Sequence, residues 1–162
     1  MGEHEDLVRK LGTMPDRVAE LVAGLDEEAL RRRPAEGEWS MTEVCGHLVE
    51  DARTWQERFM LMTTQADPYL KRYDPEAGVR ERGYQGAAIE KTMDEFRRVR
   101  GQTIELLSGL SPEGWERAGR HWSEGQVTIA GACSIALEHA ESHLEQLREL
   151  REKATQQRPG VS

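Results

Sequence analysis

The chain has 162 residues, of which 37% are hydrophobic and 32% charged, and its formal net charge is -8. Such a mixture suits a single globular domain with a buried core and excludes a disordered or low-complexity chain. The excess of 30 acidic over 22 basic side chains would repel a phosphate backbone, which argues against a nucleic-acid partner.

From Leu7 through Val8, Leu11, Met14, Val18, Leu21, Val22 and Leu25 the apolar residues keep a helical period, predicting a first helix to about Gly24. Pro15 falls inside that pattern, so the helix either kinks there or restarts at Thr13 or Met14. Asp26 is placed to cap a short turn through Arg33, which Pro34 ends before a loop over 35–38. Ser40-Met41-Thr42-Glu43 is a capping box, so a second helix starts at Met41. Its apolar stripe, Met41, Val44, Cys45, Leu48, Ala52, Trp55, Phe59 and Met62, carries it about six turns, to just before Asp67-Pro68. The stretch from Gln65 to Gly86 mixes prolines, glycines and charges without a sustained period and reads as a long crossover loop.

A third helix runs from Ala88 to about Ser108, where Gly109 ends it, and Ser111-Pro112 opens a short turn that includes Trp115. Thr128 is placed to cap a fourth helix whose stripe of Ile129, Cys133, Ala136, Ala140, Leu144, Leu147 and Leu150 runs into a charged end. The tail from Thr155 to Ser162 is expected to be disordered, leaving one domain over 1–154. No strand-like alternation of useful length appears, so the expected class is all-α: a four-helix bundle with a long crossover between helices 2 and 3. Met1 to Lys10 is charged throughout and no run approaches the ~20 apolar residues that span a bilayer. A cytoplasmic location without membrane contact is therefore expected.

Chemistry concentrates on the histidines. His47 lies about a right angle from the centre of the second helix's apolar stripe, and Asp51, Thr54 and Arg58 share its edge, as one wall of a cleft would. His139 and His143 are one turn apart on the fourth helix, with Gln146 continuing the edge. Two imidazoles at this spacing suit a divalent ion, and a third from a facing helix would leave coordination positions open. The spacing alone fits solvated boundary histidines equally well. His4, near the terminus, and His121, in a predicted loop, carry no expected function. Cys45 and Cys133 read as buried free thiols, each off the face of its neighbouring histidines.

Several segments carry a family likeness. Gly37-Glu38-Trp39-Ser40 leading into Glu43-Val44-Cys45-Gly46-His47-Leu48, the turn from Leu110 to Trp115, the approach Gly125-Gln126-Val127-Thr128-Ile129, and the H-x-x-x-H-x-x-Q stretch ending at Gln146 resemble the DinB-like superfamily, from roughly Val18 to Leu150. That superfamily includes YfiT-like metal-dependent hydrolases and thiol-dependent S-transferases. The resemblance implies a four-helix bundle, a homodimer, and zinc or nickel held by His47, His139 and His143.

Two functions then compete. One is an enzyme acting on a small molecule, a hydrolase or a transferase using a low-molecular-weight thiol; the other is a non-catalytic, dimerising metal-binding module of a stress response. Asp51, one turn after His47, is the candidate catalytic base or ligand-orienting partner, or else a surface carboxylate offsetting Arg53 or Arg58. Arg100 interrupts the third helix's apolar stripe and is the candidate to grip a carboxylate or the acidic group of a thiol cofactor, or else pairs internally. Trp39, Trp115 and Trp122 are candidates for the pocket mouth, with packing as their alternative role.

Overall fold

The computed structural model describes residues 2–156. Its elements are α1 (Glu3–Val22), α2 (Glu27–Arg31), α3 (Met41–Thr64), β1 (Tyr69–Leu70), α4 (Pro75–Glu81), a 3-10 turn (Tyr84–Gly86), α5 (Ile89–Ser108), α6 (Pro112–Trp115), β2 (Ala118–His121), β3 (Gly125–Thr128) and α7 (Ile129–Gln156). The long helices α1, α3, α5 and α7 form the predicted bundle. Both α1 and α3 pack against α5 and against α7, so each of the first two lies between the last two. No helix among the described residues is long and apolar enough to cross a membrane.

Most boundaries follow the capping residues. Asp26 accepts from the amide of Ala29 at 2.8 Å, and the Thr128 hydroxyl accepts from that of Gly131 at 3.1 Å. At α3 both halves of the capping box are formed: the Ser40 hydroxyl accepts from the Glu43 amide at 3.3 Å, and the Glu43 carboxylate accepts from the Ser40 amide at 3.1 Å. Ser40 is fully buried, and its hydroxyl also bonds the side chains of Thr42 and Gln85. Ser40→Ala should therefore cost about 1–2 kcal/mol. Urea denaturation would show this as a lower midpoint with an unchanged slope.

Pro15 neither breaks nor restarts the first helix. Helix α1 is continuous through it, because burying Leu11, Met14 and Val18 offsets the one backbone bond a proline removes. The fourth helix outlasts its predicted charged end: Thr155 and Gln156 continue α7, which corrects that part of the expected tail, and its remainder, 157–162, lies outside the described residues.

Two further expectations are corrected. The crossover is not a featureless loop, since it contains β1, α4 and the 3-10 turn, with Asp74 capping α4 by accepting from the amides of Glu76 and Ala77. Strands also exist. β1 pairs parallel with β2, and β2 pairs antiparallel with β3, in the order β1-β2-β3. The sheet holds because Gly119 permits close approach: a Cβ there would lie 3.2 Å from both the Met62 side chain and the Pro68 carbonyl. Arg117 adds bonds from its guanidinium to the carbonyls of Met62 (2.7 Å) and Gln65 (3.0 Å), which ties the hairpin to the end of α3. The end of β2 lies beside α3, where the His121 ring stacks on Trp55.

Candidate metal centre

Helices α3 and α7 face each other, and the histidines that the sequence places on their edges meet at that seam. One ring nitrogen from each of His47, His139 and His143 lies within 4.8 Å of the other two. The Nε2 atoms of His47 and His139 are 2.9 Å apart, and the three ring centroids are separated by 4.5–5.2 Å, each pair edge to face. His47 is buried, whereas 41% of the His139 side chain is exposed. Away from His139 the His47 ring is held by aromatic neighbours: Trp39 lies at 5.0 Å and Tyr73 at 6.3 Å, and its buried Nδ1 has no hydrogen-bond partner among the described residues.

The donor set fits a divalent cation. Burial pushes the His47 imidazolium pKa down to about 3, with the other two imidazoles adding to the effect, and burial lowers that of His143 as well. These rings are therefore neutral at pH 7 and offer lone pairs. Bonds of ~2 Å place ligand nitrogens roughly 3–4 Å apart on one ion, so small side-chain rotations suffice to close the set. His143 is also oriented for this task. Its Nδ1 lies 2.8 Å from the amide oxygen of Gln146, which can only accept, so Nδ1 carries the proton and Nε2 keeps its lone pair. Gln146→Leu should weaken metal binding about 10–100-fold at an unchanged melting temperature of the metal-free protein, measured by competition with a chelating dye.

A cleft of about 300 Å³ opens beside the triad, lined by His47 and His139 together with Asp51, Trp55, Arg58, Tyr73 and the hairpin tip. Asp51 is buried there. It accepts from the Tyr73 hydroxyl at 3.0 Å, and one of its oxygens is 3.8 Å from His139 Nε2. Burial raises the Asp51 carboxyl pKa, against the pull of His139 and Tyr73, while burial and Asp51 together keep the Tyr73 phenol protonated. Arg100 lies in the interior rather than along the cleft: it is buried with its guanidinium 5.4 Å from the Phe96 ring centre, within electrostatic reach of Asp51 and Cys133. Trp39 packs on His47 and His143, and Trp122 lines the cleft, but Trp115 sits apart, stacked on His4 at 4.4 Å. Both cysteines are buried with thiol pKa values pushed up to about 12, which removes them as nucleophiles.

A family model described as the DinB superfamily matches residues 10–147. The chain belongs to the DinB superfamily. It is 23% identical over 146 residues to a Bacillus mycoides protein named "Putative metal-dependent hydrolase", covering 90% of this chain and 84% of that one. It is 24% identical over 143 residues to an Oceanobacillus iheyensis protein of the same name, covering 88% and 83%. Among solved structures, YfiT from Bacillus subtilis, described as a "probable metal-dependent hydrolase" with an unusual four-helix bundle topology, superposes with a TM-score of 0.85 at 20% identity, covering 94% of this chain and 87% of that one. A mycothiol-dependent maleylpyruvate isomerase superposes at 0.72 with 10% identity over 89% of this chain, which spans 60% of that enzyme. These superpositions show the DinB fold with its bundle topology.

Two cleft residues escape a reading of the sequence. Tyr73 belongs to a stretch with no period, and His121 lies at the end of a strand too short to be seen. The only local signal for the hairpin is the Ser123-Glu124-Gly125 turn, where Gly125 takes φ 74°.

Proposed function

We propose that this DinB-superfamily protein is a divalent-metal-dependent enzyme acting on a small molecule in the cleft between α3, α7 and the hairpin, as a hydrolase or a thiol-dependent S-transferase. The observation that carries this reading is that the three imidazoles converge at a cleft rather than inside a sealed core. His47, His139 and His143 would hold the ion, zinc or nickel by their donor type. When bound, such an ion acts as a Lewis acid that polarises a substrate oxygen, or lowers the pKa of water or a thiol.

The chain's own groups supply the rest. Asp51 is positioned to take a proton from a substrate in the cleft, and Tyr73 holds its carboxylate in place by donating at 3.0 Å to Oδ1, the same oxygen that lies 3.8 Å from His139 Nε2. Trp39 and Tyr73 flank His47 and keep bulk water from its ring. The open side of His139 leaves room for a substrate or a low-molecular-weight thiol.

Elemental analysis of the purified protein should find one zinc or nickel per chain. The loaded protein should then turn over either activated esters and amides, or a low-molecular-weight thiol with an electrophilic acceptor, and Asp51→Asn should lower kcat about 10²–10⁴-fold without loss of metal. Stoichiometric metal with no turnover in either assay would favour the non-catalytic module instead.

A further inference from the structure

Along the cleft away from the triad, the lining changes from lone pairs to donors. His47, Asp51, Trp55 and Arg58 occupy one face of α3 at spacings of four, four and three residues, so the cleft follows the helix for about three turns. Arg58 is 95% buried, yet among the described residues no carboxylate lies within 4.0 Å of its guanidinium. One of its amino groups donates to the Lys71 carbonyl at 2.8 Å, its Nε has no hydrogen-bond partner among the described residues, and its face rests 4.6 Å from the Trp55 ring centre. Asp51 acts on this guanidinium through space, but burial outweighs its pull and lowers the Arg58 pKa; a buried guanidinium without a direct ion pair is costly, and such groups are characteristic of ligand sites.

His121 stands beside it, stacked on Trp55 with ring planes 8° apart. The backbone amides of Ser123 and Glu124 both donate to its Nδ1 at 3.2 Å, so the neutral ring carries its proton on Nε2, and that N–H is left as a donor. Arg72, exposed at the rim, lies over Trp122 at 5.3 Å and makes no ion pair among the described residues. Of the acids along this cleft, Asp51 is engaged by Tyr73 toward the triad, and Glu124 is an exposed rim carboxylate.

We propose that Arg58, Arg72 and the Nε2–H of His121 form a carboxylate-binding subsite, so that the substrate processed at the triad is a small organic acid. The substrate part of this statement rests on the metal-enzyme reading above; the binding of a carboxylate does not. Arg58 supplies the preorganised charge, held in place by Lys71 and Trp55. His121 fixes the direction of approach, and Arg72 adds a second positive charge at the rim.

The test is calorimetric titration of succinate and of its dimethyl ester into chelator-stripped and metal-loaded protein. Stripped protein should bind succinate and ignore the ester. Arg58→Gln should weaken succinate binding about tenfold and Arg72→Gln about threefold, with metal content unchanged in both. Should Arg58→Gln fail to fold, the exposed Arg72→Gln together with His121→Phe decides. Equal binding of ester and acid would overturn the subsite, as would succinate binding that needs metal and ignores all three substitutions, since the acid would then sit on the ion. His143→Ala separates the two readings: succinate binding retained without metal supports the subsite, whereas metal retained in that variant sinks the triad alone.

Discussion

Replacing His143 by alanine is expected to strip the protein of stoichiometric metal while leaving its helical circular dichroism intact. Among the described residues, the ring nitrogen facing His47 and His139 is one of three imidazole nitrogens that converge, so its loss leaves two imidazoles from different helices. Altering a residue that merely orients a ligand costs about 10–100-fold in metal affinity, and deleting the ligand should exceed that. The helix itself should tolerate the change, because alanine is the best helix former and position 143 is only partly buried. A second readout follows from linkage. An ion that binds only the folded chain stabilises it by about 2.7 kcal/mol at a hundred times its Kd, so added zinc should raise the melting temperature of the native protein and leave that of the variant unmoved. A variant that still carries one ion per chain, or still responds to zinc, would remove the triad from the site.

The parts of this architecture that a sequence reader can see are those specified by nearby residues. The box at Ser40 and Glu43, the cap at Asp26 and the cap at Thr128 each involve partners three residues away, and all three are formed as their spacing predicts. The histidines on α7 are visible for the same reason, since four residues make one turn. Their meeting with His47 is not, because that contact spans 92 residues and depends on which helices pack together; the family likeness supplied it. The strands were invisible because Ala118–His121 and Gly125–Thr128 lack alternation, and β1 is only two residues long. They persist through non-local support from Met62, Pro68 and Leu70 around Gly119. Helix α4 carried a cap and a proline at its first turn, yet it buries only Val79 and so shows no periodic face. His121 reads as a loop residue for this reason: its place against Trp55 exists only once the hairpin has folded back onto α3.

The second large effect lies beside the triad, at Gly46. This residue sits inside the first turns of α3, where glycine would ordinarily cost about 1 kcal/mol relative to alanine. Its reason is steric. A Cβ built there falls 2.1 Å from Cγ and 2.5 Å from Cβ of Tyr84, and although a χ1 rotation could swing Cγ aside, the Cβ moves only with the backbone. Tyr84 is pinned in turn, since its hydroxyl donates to Glu50 at 2.7 Å and the neighbouring Gln85 bonds Ser40, Thr42 and the Arg31 carbonyl. Gly46→Ala must therefore push the whole 3-10 turn away from α3. Overpacking of this kind costs about 3 kcal/mol, and the helix-propensity gain returns about 1, leaving a net loss of about 2 kcal/mol. For a chain of this length that lowers the melting temperature by about 4–8 °C in a calorimetric scan. Because the cause is one specific collision, the double variant Gly46→Ala/Tyr84→Ala should be more stable than the sum of its single changes by at least about 1 kcal/mol. Strict additivity would show that the glycine serves some purpose other than letting Tyr84 cross the helix next to His47.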